Sequence, residues 1–222
     1  MKPKIRKRIA LICIDCEGNS EQINRLVSIT REEKIDVTFF VVGQTAQEYS
    51  DLFYELAKDF QIESHTYSHV NLRKLSIEKQ VEEILRGKEA VERVIGRTTR
   101  GFKAPMHCLN KETVKILNEL GLRFDVSSLY FQYRMGKVIK IRPSWFREWC
   151  SFYDFLNLNP RSPWAVMKFL FFIKNPLVIS IHPQYSGKNE EMSEAFRGFV
   201  KFLKRRKAQI ININDYLGII KQ

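Results

Sequence analysis

Short unbroken apolar runs alternate along this chain with longer stretches whose apolar residues recur every three or four positions. Ile9 to Ile14 is such a run and predicts a buried strand, after which Ile23, Leu26, Val27 and Thr30 trace one face of a helix. Val37 to Val42 reads as a second strand. A helix over Ala46 to Phe60 follows, with Leu52, Phe53, Leu56 and Ala57 on one stripe, and then a short strand over Gln61 to Glu63. Ser76 opens a long helix, but Lys79 stands where a capping box would have Glu. That helix carries Ile77, Val81, Ile84, Leu85, Ala90, Val91 and Ile95 until Gly96 stops it. Short strands are predicted near Gly101 to Lys103, Leu122 to Val126 and Val138 to Ile141, with a helix over Lys111 to Leu120 between the first two. Leu177 to Ile181 is another buried strand, Glu190 to Arg206 a helix, and Ala208 to Ile213 closes the set.

About seven strands alternating with helices predict an α/β protein built on a parallel sheet. The residues able to do chemistry lie at or just after strand C-terminal ends: Asp15 and Glu17, His65, Lys103, Asp125 and His182. Chemistry drawn from many strand ends points to a (β/α) barrel, whereas an open sheet gathers its site near one crossover. Several strands are short, so we expect a distorted barrel. With 222 residues and 44% hydrophobic content, the chain can bury one sizeable core. No linker or repeat interrupts it, so we expect a single domain over 1–222 with its core at about 8–215.

Charge changes this picture little. Lys and Arg number 37 against 25 Asp and Glu, a formal net charge of +12 that favours an anionic partner. The run Lys201 to Lys207 is dense in cations, yet the end of a solvated helix explains it, since cations suit a helix C-terminus. No zinc-finger spacing or RNA-binding signature supports nucleic acid as the partner. The basic segment Lys2 to Arg8 leads into an apolar run too short for an export signal, and no later run has spanning length. We therefore expect a cytoplasmic protein, with peripheral membrane contact compatible with its charge. Four cysteines do not make a disulfide scaffold in a chain of this length.

Two segments carry the candidate chemistry. Leu11-Ile12-Cys13-Ile14-Asp15-Cys16-Glu17-Gly18 is an apolar strand that ends in two carboxylates, and His65-Thr66-Tyr67-Ser68-His69 sets two imidazoles four positions apart. Asp15 and Glu17 face one side if the strand persists, with Cys16 on the other. Two imidazoles and one carboxylate form a common catalytic zinc set, leaving the second carboxylate as a base. Thr66 stands where the zincin pattern has its Glu, so a base must come from elsewhere, and Asp15 is available. His182 follows a buried strand, precedes Pro183, and is well placed as a general acid. His107 reads equally as a substrate contact or an incidental loop residue. A structural zinc held by Cys13, Cys16, Cys108 and Cys150 is disfavoured, because Cys13 and Cys16 point to opposite faces of one strand.

At these residues the sequence resembles the polysaccharide deacetylase family, also called the NodB-homology domain or carbohydrate esterase family 4. The opening Ile14-Asp15-Cys16-Glu17-Gly18 resembles the first motif, and His65 to His69 matches the His-Ser/Thr-x-x-His metal motif. Gly101-Phe102-Lys103-Ala104-Pro105 resembles Arg-x-Pro with lysine for arginine, and Ile179 to Pro183 resembles the last motif, whose histidine faces the leaving group. The resemblance implies the family's distorted (β/α) barrel. It implies Asp15 as catalytic base, Lys103 in the role of the arginine that holds the base, and His182 as proton donor. It implies Glu17, His65 and His69 as ligands of Zn2+ or another divalent transition metal, and an oxyanion donor at the Met106 backbone. Phe124-Asp125-Val126-Ser127-Ser128 resembles one form of the fourth motif, which leaves Asp125 to tune His182, line the groove or cap its strand.

By the same resemblance the activity is removal of an acetyl or other small acyl group from the nitrogen of an N-acylated sugar or glycan. The alternatives are hydrolysis of a small non-sugar amide on the same fold, or an inactive binding protein. Residues 145 to 173 hold all three tryptophans and many phenylalanines, among them Trp145, Trp149, Phe155, Trp164, Phe169, Phe171 and Phe172. They read as a core segment, or as an apolar lid beside the site that would suit sugar stacking or a membrane interface. With the positive charge, this favours a nucleotide- or lipid-linked sugar.

Overall fold

The structure is a computed structural model that describes residues 7–127, 136–144, 168 and 170–221. Its sheet has eight strands: β1 (Ile9–Cys16), β2 (Thr38–Val41), β3 (Gln61–Ser64), β4 (Gly101–Phe102), β5 (Phe124–Asp125), β6 (Ile139–Lys140), β7 (Leu177–Ile181) and β8 (Gln209–Ile210). Their order is β6-β5-β4-β3-β2-β1-β7, with β8 on β1. The pairs β1–β7, β1–β8, β3–β4, β4–β5 and β5–β6 are parallel. Every residue of β1 is buried, which explains why its sequence is an apolar run rather than an alternation. The strand extends two residues past the expected Ile14, taking Asp15 and Cys16 into it.

Helices among the described residues include α1 (Ser20–Glu32), α2 (Gly43–Glu48), α3 (Ser50–Asp59), α4 (Ile77–Ile95), α5 (Lys111–Glu119), α6 (Pro183–Ser186), α7 (Glu190–Arg205) and α8 (Ile213–Ile220). Two expectations are corrected. The helix predicted over Ala46 to Phe60 is two helices, broken at Tyr49 (φ −117°, ψ 47°), because the Leu52–Phe53–Leu56–Ala57 stripe belongs to α3 alone. The chain end predicted as strand to Ile213 holds a two-residue β8 and then α8, which Asn212 caps by accepting the Asp215 N–H. Elsewhere caps mark the ends: Ser76 accepts from the Lys79 N–H, and Gly96 ends α4 in the left-handed region at φ 67°.

The chain forms two compact units. One comprises Met1–Ile14, Gly18–Thr38 and Ser144–Gln222. In it α1 packs on α6 and α7, with Ile23, Leu26, Phe196, Phe199 and Leu203 buried. The basic run ends α7, where Lys204 Nζ meets the Glu33 carboxylate at 3.0 Å and its carbonyl at 2.9 Å. Of the aromatic segment, Trp145, Trp149, Phe155, Trp164 and Phe169 lie outside the described residues, as does Cys150. Phe171 and Phe172 precede β7, where their rings meet Phe202 of α7 edge-on. The Arg8 guanidinium, just before β1, donates to their carbonyls at 3.0 and 2.8 Å. These two aromatics thus sit at the N-terminal end of β7, opposite the end that carries His182, and not beside it as a lid would. No helix among the described residues is long and apolar enough to cross a membrane.

The other unit comprises Asp15–Glu17 and Phe39–Pro143. Its core joins Leu72, Ile84, Phe102, Leu117 and Leu122. Here α2 and α4 approach closely at two glycines: a Cβ on Gly43 would stand 3.1 Å from Gly87 Cα. A Cβ on Gly87 would lie 2.3 Å from the Thr66 carbonyl carbon and 2.6 Å from the Tyr67 nitrogen, so only glycine lets the 65–69 loop rest on α4. Gly87→Ala should therefore cost about 1–3 kcal/mol in urea unfolding, the penalty of overpacking against backbone that cannot yield. Gly198→Ala on α7, where nothing lies within 4 Å, should be neutral or gain up to about 1 kcal/mol.

Candidate metal centre

Three strand ends build the centre. β1 delivers Asp15 and, one turn of backbone beyond it, Glu17, whose N–H donates to the Asp15 carbonyl at 3.0 Å. β3 runs straight into His65, whose N–H donates to Val41 of β2 at 2.9 Å. β4 runs into Lys103, whose N–H donates to Ser64 at 3.3 Å. Asp15, His65 and Lys103 are all buried, with Lys103 only 1% exposed. A lysine so deep requires a partner, and its ammonium is hydrogen-bonded to Asp15 Oδ2.

Lys103 reaches His65 as well, through its backbone. Its carbonyl lies 2.7 Å from His65 Nδ1. A carbonyl only accepts, so Nδ1 carries the hydrogen and Nε2 of the neutral ring presents a lone pair. That Nε2 is 3.5 Å from Glu17 Oε1, and His69 Nε2 is 2.8 Å from the same oxygen. His69 Nε2 is buried and, despite that short distance, makes no aligned hydrogen bond to a described residue. Glu17, His65 and His69 thus bring one oxygen and two nitrogens within 4.8 Å of one another. A carboxylate oxygen and two imidazole nitrogens set this close can share one cation, and one carboxylate with two imidazoles suits zinc or a similar transition metal. These residues fit a metal.

The segment carrying both histidines is a tight loop. Thr66 and His69 adopt positive φ (63° and 57°), a conformation that costs non-glycine residues about 1–3 kcal/mol. Four hydrogen bonds hold it. The first N–H groups of α2, on Gly43 and Gln44, donate to the Thr66 and Tyr67 carbonyls at 2.9 and 3.0 Å. The Ser68 N–H and hydroxyl donate to the two oxygens of Glu83 on α4, at 3.0 and 2.7 Å. Sequence reasoning missed Glu83 and Gly87. Their available signal was a glycine inside a helical pattern with a glutamate four positions before it, hence on the same face.

The remaining candidates occupy distinct places. Met106 and His107 continue the turn after Lys103, both at positive φ (53° and 54°). The Met106 N–H makes no hydrogen bond to another described residue. His107 Nδ1 lies 3.1 Å from the Ser127 carbonyl. Asp125, fully buried at the end of β5, accepts the Ser127 hydroxyl, which in turn accepts the Ala104 N–H at 2.6 Å. Through Ser127, Asp125 braces the turn after β4. Cys16 lies between the two acids in β1; burial, then the Asp15 and Glu17 charges, push its thiol well above its ordinary value. Of the residues considered, only His182 belongs to the other compact unit. It follows Ile181, which pairs with Ile14 of β1, and its carbonyl accepts the Tyr185 and Ser186 N–H groups at 3.1 and 3.0 Å.

Comparison with known proteins places the chain in a family. The polysaccharide deacetylase family matches over residues 2–124, more than half of the chain. The peptidoglycan-N-acetylglucosamine deacetylase PgdA of Listeria monocytogenes is 27% identical over 139 residues, 62% of this chain and 30% of that protein. The chain spans about a third of the length of the curated relatives it matches. Among solved structures, a protein of Mycobacterium smegmatis classed with the polysaccharide deacetylases superposes with a TM-score of 0.78 at 22% identity, over 97% of this chain and 91% of that one. BA3943, a family 4 pseudoenzyme from Bacillus anthracis, gives 0.72 at 17% identity, over 95% of this chain and 65% of its own. These likenesses show the fold, a distorted (β/α) barrel as the strand pattern predicted, and of the NodB type that the resemblance implied. With the family matched across its first three motifs, the chain belongs to the polysaccharide deacetylase family.

Proposed function

We propose that this chain is a metal-dependent N-deacetylase that removes an acetyl or similar small acyl group from an N-acylated glycan. The observation that carries this reading is the convergence of Glu17, His65 and His69 beside the buried Asp15–Lys103 pair. A fold alone hosts active and inactive proteins alike, so the argument rests on these side chains. That PgdA, named for peptidoglycan N-acetylglucosamine, is among the relatives favours a glycan over a small amide.

In this reading Glu17, His65 and His69 hold zinc or another divalent transition metal. When bound, the metal polarises the substrate carbonyl and brings the attacking water within reach of neutral-pH deprotonation. Asp15, steadied through Oδ2 by Lys103, takes the proton from that water as its oxygen bonds to the carbonyl carbon. The Met106 N–H, directed by the strained turn after Pro105, donates to the carbonyl oxygen as negative charge builds there. His182 gives a proton to the nitrogen as the C–N bond breaks, leaving a carboxylic acid and an amino sugar. Lysine supplies a point charge where the family has the forked arginine, and that charge meets Asp15 at Oδ2.

Acetate release should be measured on N-acetylated oligosaccharides, peptidoglycan fragments and nucleotide-linked N-acetyl sugars, with metal content determined alongside. The protein should hold one zinc or similar ion and release acetate from at least one of these substrates. Asp15→Asn should lower kcat by about 10²–10⁴-fold with metal retained. Release from none of them, or full activity in Asp15→Asn, would overturn the reading. Lys103→Met should lose about 3–5 kcal/mol of stability, the consequence of removing one partner of a buried pair. Its activity should fall with that of Asp15→Asn, whereas Lys103→Arg should keep most of it.

A further inference from the structure

We infer that Glu83 is a positioning residue, whose carboxylate holds the His65–His69 loop in the shape that captures the metal. The inference rests on the metal reading above but concerns a residue outside the ligand set. Glu83 stands on α4, half-buried, and grips Ser68 with both oxygens: one accepts the backbone N–H at 3.0 Å, the other the hydroxyl at 2.7 Å. Ser68 is the residue immediately before His69, so this grip fixes the peptide from which the second imidazole projects.

That peptide needs holding. His69 sits at φ 57° and Thr66 at 63°, and a β-branched residue in that region is a genuine outlier. The two carbonyl contacts from α2 restrain Thr66 and Tyr67, but neither reaches past Tyr67. Tyr67 gains a further hold from Arg86, whose guanidinium donates to its hydroxyl at 2.9 Å and lies 3.7 Å from its ring centroid. At Ser68 the hold comes from Glu83. Gly87, one helical turn on, removes the side chain that would otherwise push the loop off α4. Charged acceptors make stronger hydrogen bonds than neutral ones, and two parallel bonds fix orientation as well as distance. Such outer contacts commonly change metal affinity by about 10- to 100-fold when removed.

The test is zinc and cobalt binding to metal-stripped full-length protein by calorimetry, with amide hydrogen exchange of residues 66–69 measured before metal is added. Glu83→Gln should weaken metal binding about 10- to 100-fold and speed exchange in the loop even without metal. Ser68→Ala, which removes one of the two bonds without altering charge, should give a smaller loss in the same direction. The double variant should lose no more than Glu83→Gln alone, since both act through one contact. Glu82→Gln, exposed one position earlier on α4, should do neither. Unchanged affinity and exchange in Glu83→Gln would overturn the inference, as would an equal loss in Glu82→Gln, which would reveal a general charge effect. A wild-type protein that binds neither ion would instead overturn the metal reading, and loop exchange would still report whether Glu83 holds Ser68.

Discussion

Lys103 places a full charge where water cannot reach it, and much of the centre is arranged around that fact. Desolvating an ammonium and a carboxylate costs several kcal/mol each, recovered only when geometry is good and other polar groups are satisfied. The ammonium is met by Asp15 at the end of β1, and the carbonyl of the same residue is met by His65 at the end of β3. One residue thereby couples Asp15 to His65, and neither can shift without disturbing the other. β4, the strand that delivers Lys103, is only two residues long and has a second buried carboxylate at its start. Glu63 accepts the Arg100 and Gly101 N–H groups at 2.7 and 2.6 Å. Burial raises the Glu63 pKa, and the hydrogen bonds from Gln61, Gly101 and Arg100 partly offset that rise. The short strand is thus fixed at both ends by buried acids.

Much of this was legible in the sequence. Apolar runs such as Ile9 to Ile14 and Leu177 to Ile181 read as buried strands in a chain with this alternation, and an apolar strand that leads straight into Asp15 and Glu17 marks the candidate site. The pairing of Lys103 with Asp15 followed from resemblance, since nothing in one sequence links positions so far apart. What escaped notice was local geometry and cross-chain contact. The break at Tyr49 carries no proline or glycine to announce it. α8 begins at Asn212, a good cap, but its Ile-rich sequence also suits a strand, and packing rather than propensity decides between them. The grip of Glu83 on Ser68 was missed, because a glutamate on a helix is ordinarily solvent-facing and only Gly87 hinted at a close approach there. The role of Asp125 was left open for the same reason: Ser127, two positions on, forms the link to Ala104, and no spacing rule predicts that.

The loop between the histidines illustrates how strain and packing combine. Left-handed conformations at Thr66 and His69 would relax in a free peptide. Here two helices oppose that relaxation, α2 with its first N–H groups and α4 with a carboxylate and a glycine. The placement of the two imidazoles is consequently a property of the α2–α4 pair as much as of the five-residue motif. Transplanting the motif alone onto another scaffold would carry the imidazoles without the shape that aims them.

The placement of Cys16 between two acids has a consequence of another kind. Strand geometry gives β1 a parity: Asp15 and Cys16 project to opposite faces, with both acids flanking a thiol that burial keeps neutral. Gaining or losing one residue within β1 would therefore act as a switch and not as a small displacement. It would rotate a soft sulfur toward the imidazoles and drive a carboxylate into the apolar core. The reading frame of this strand, more than the identity of any single side chain on it, separates a site made of oxygen and nitrogen from one that sulfur would claim.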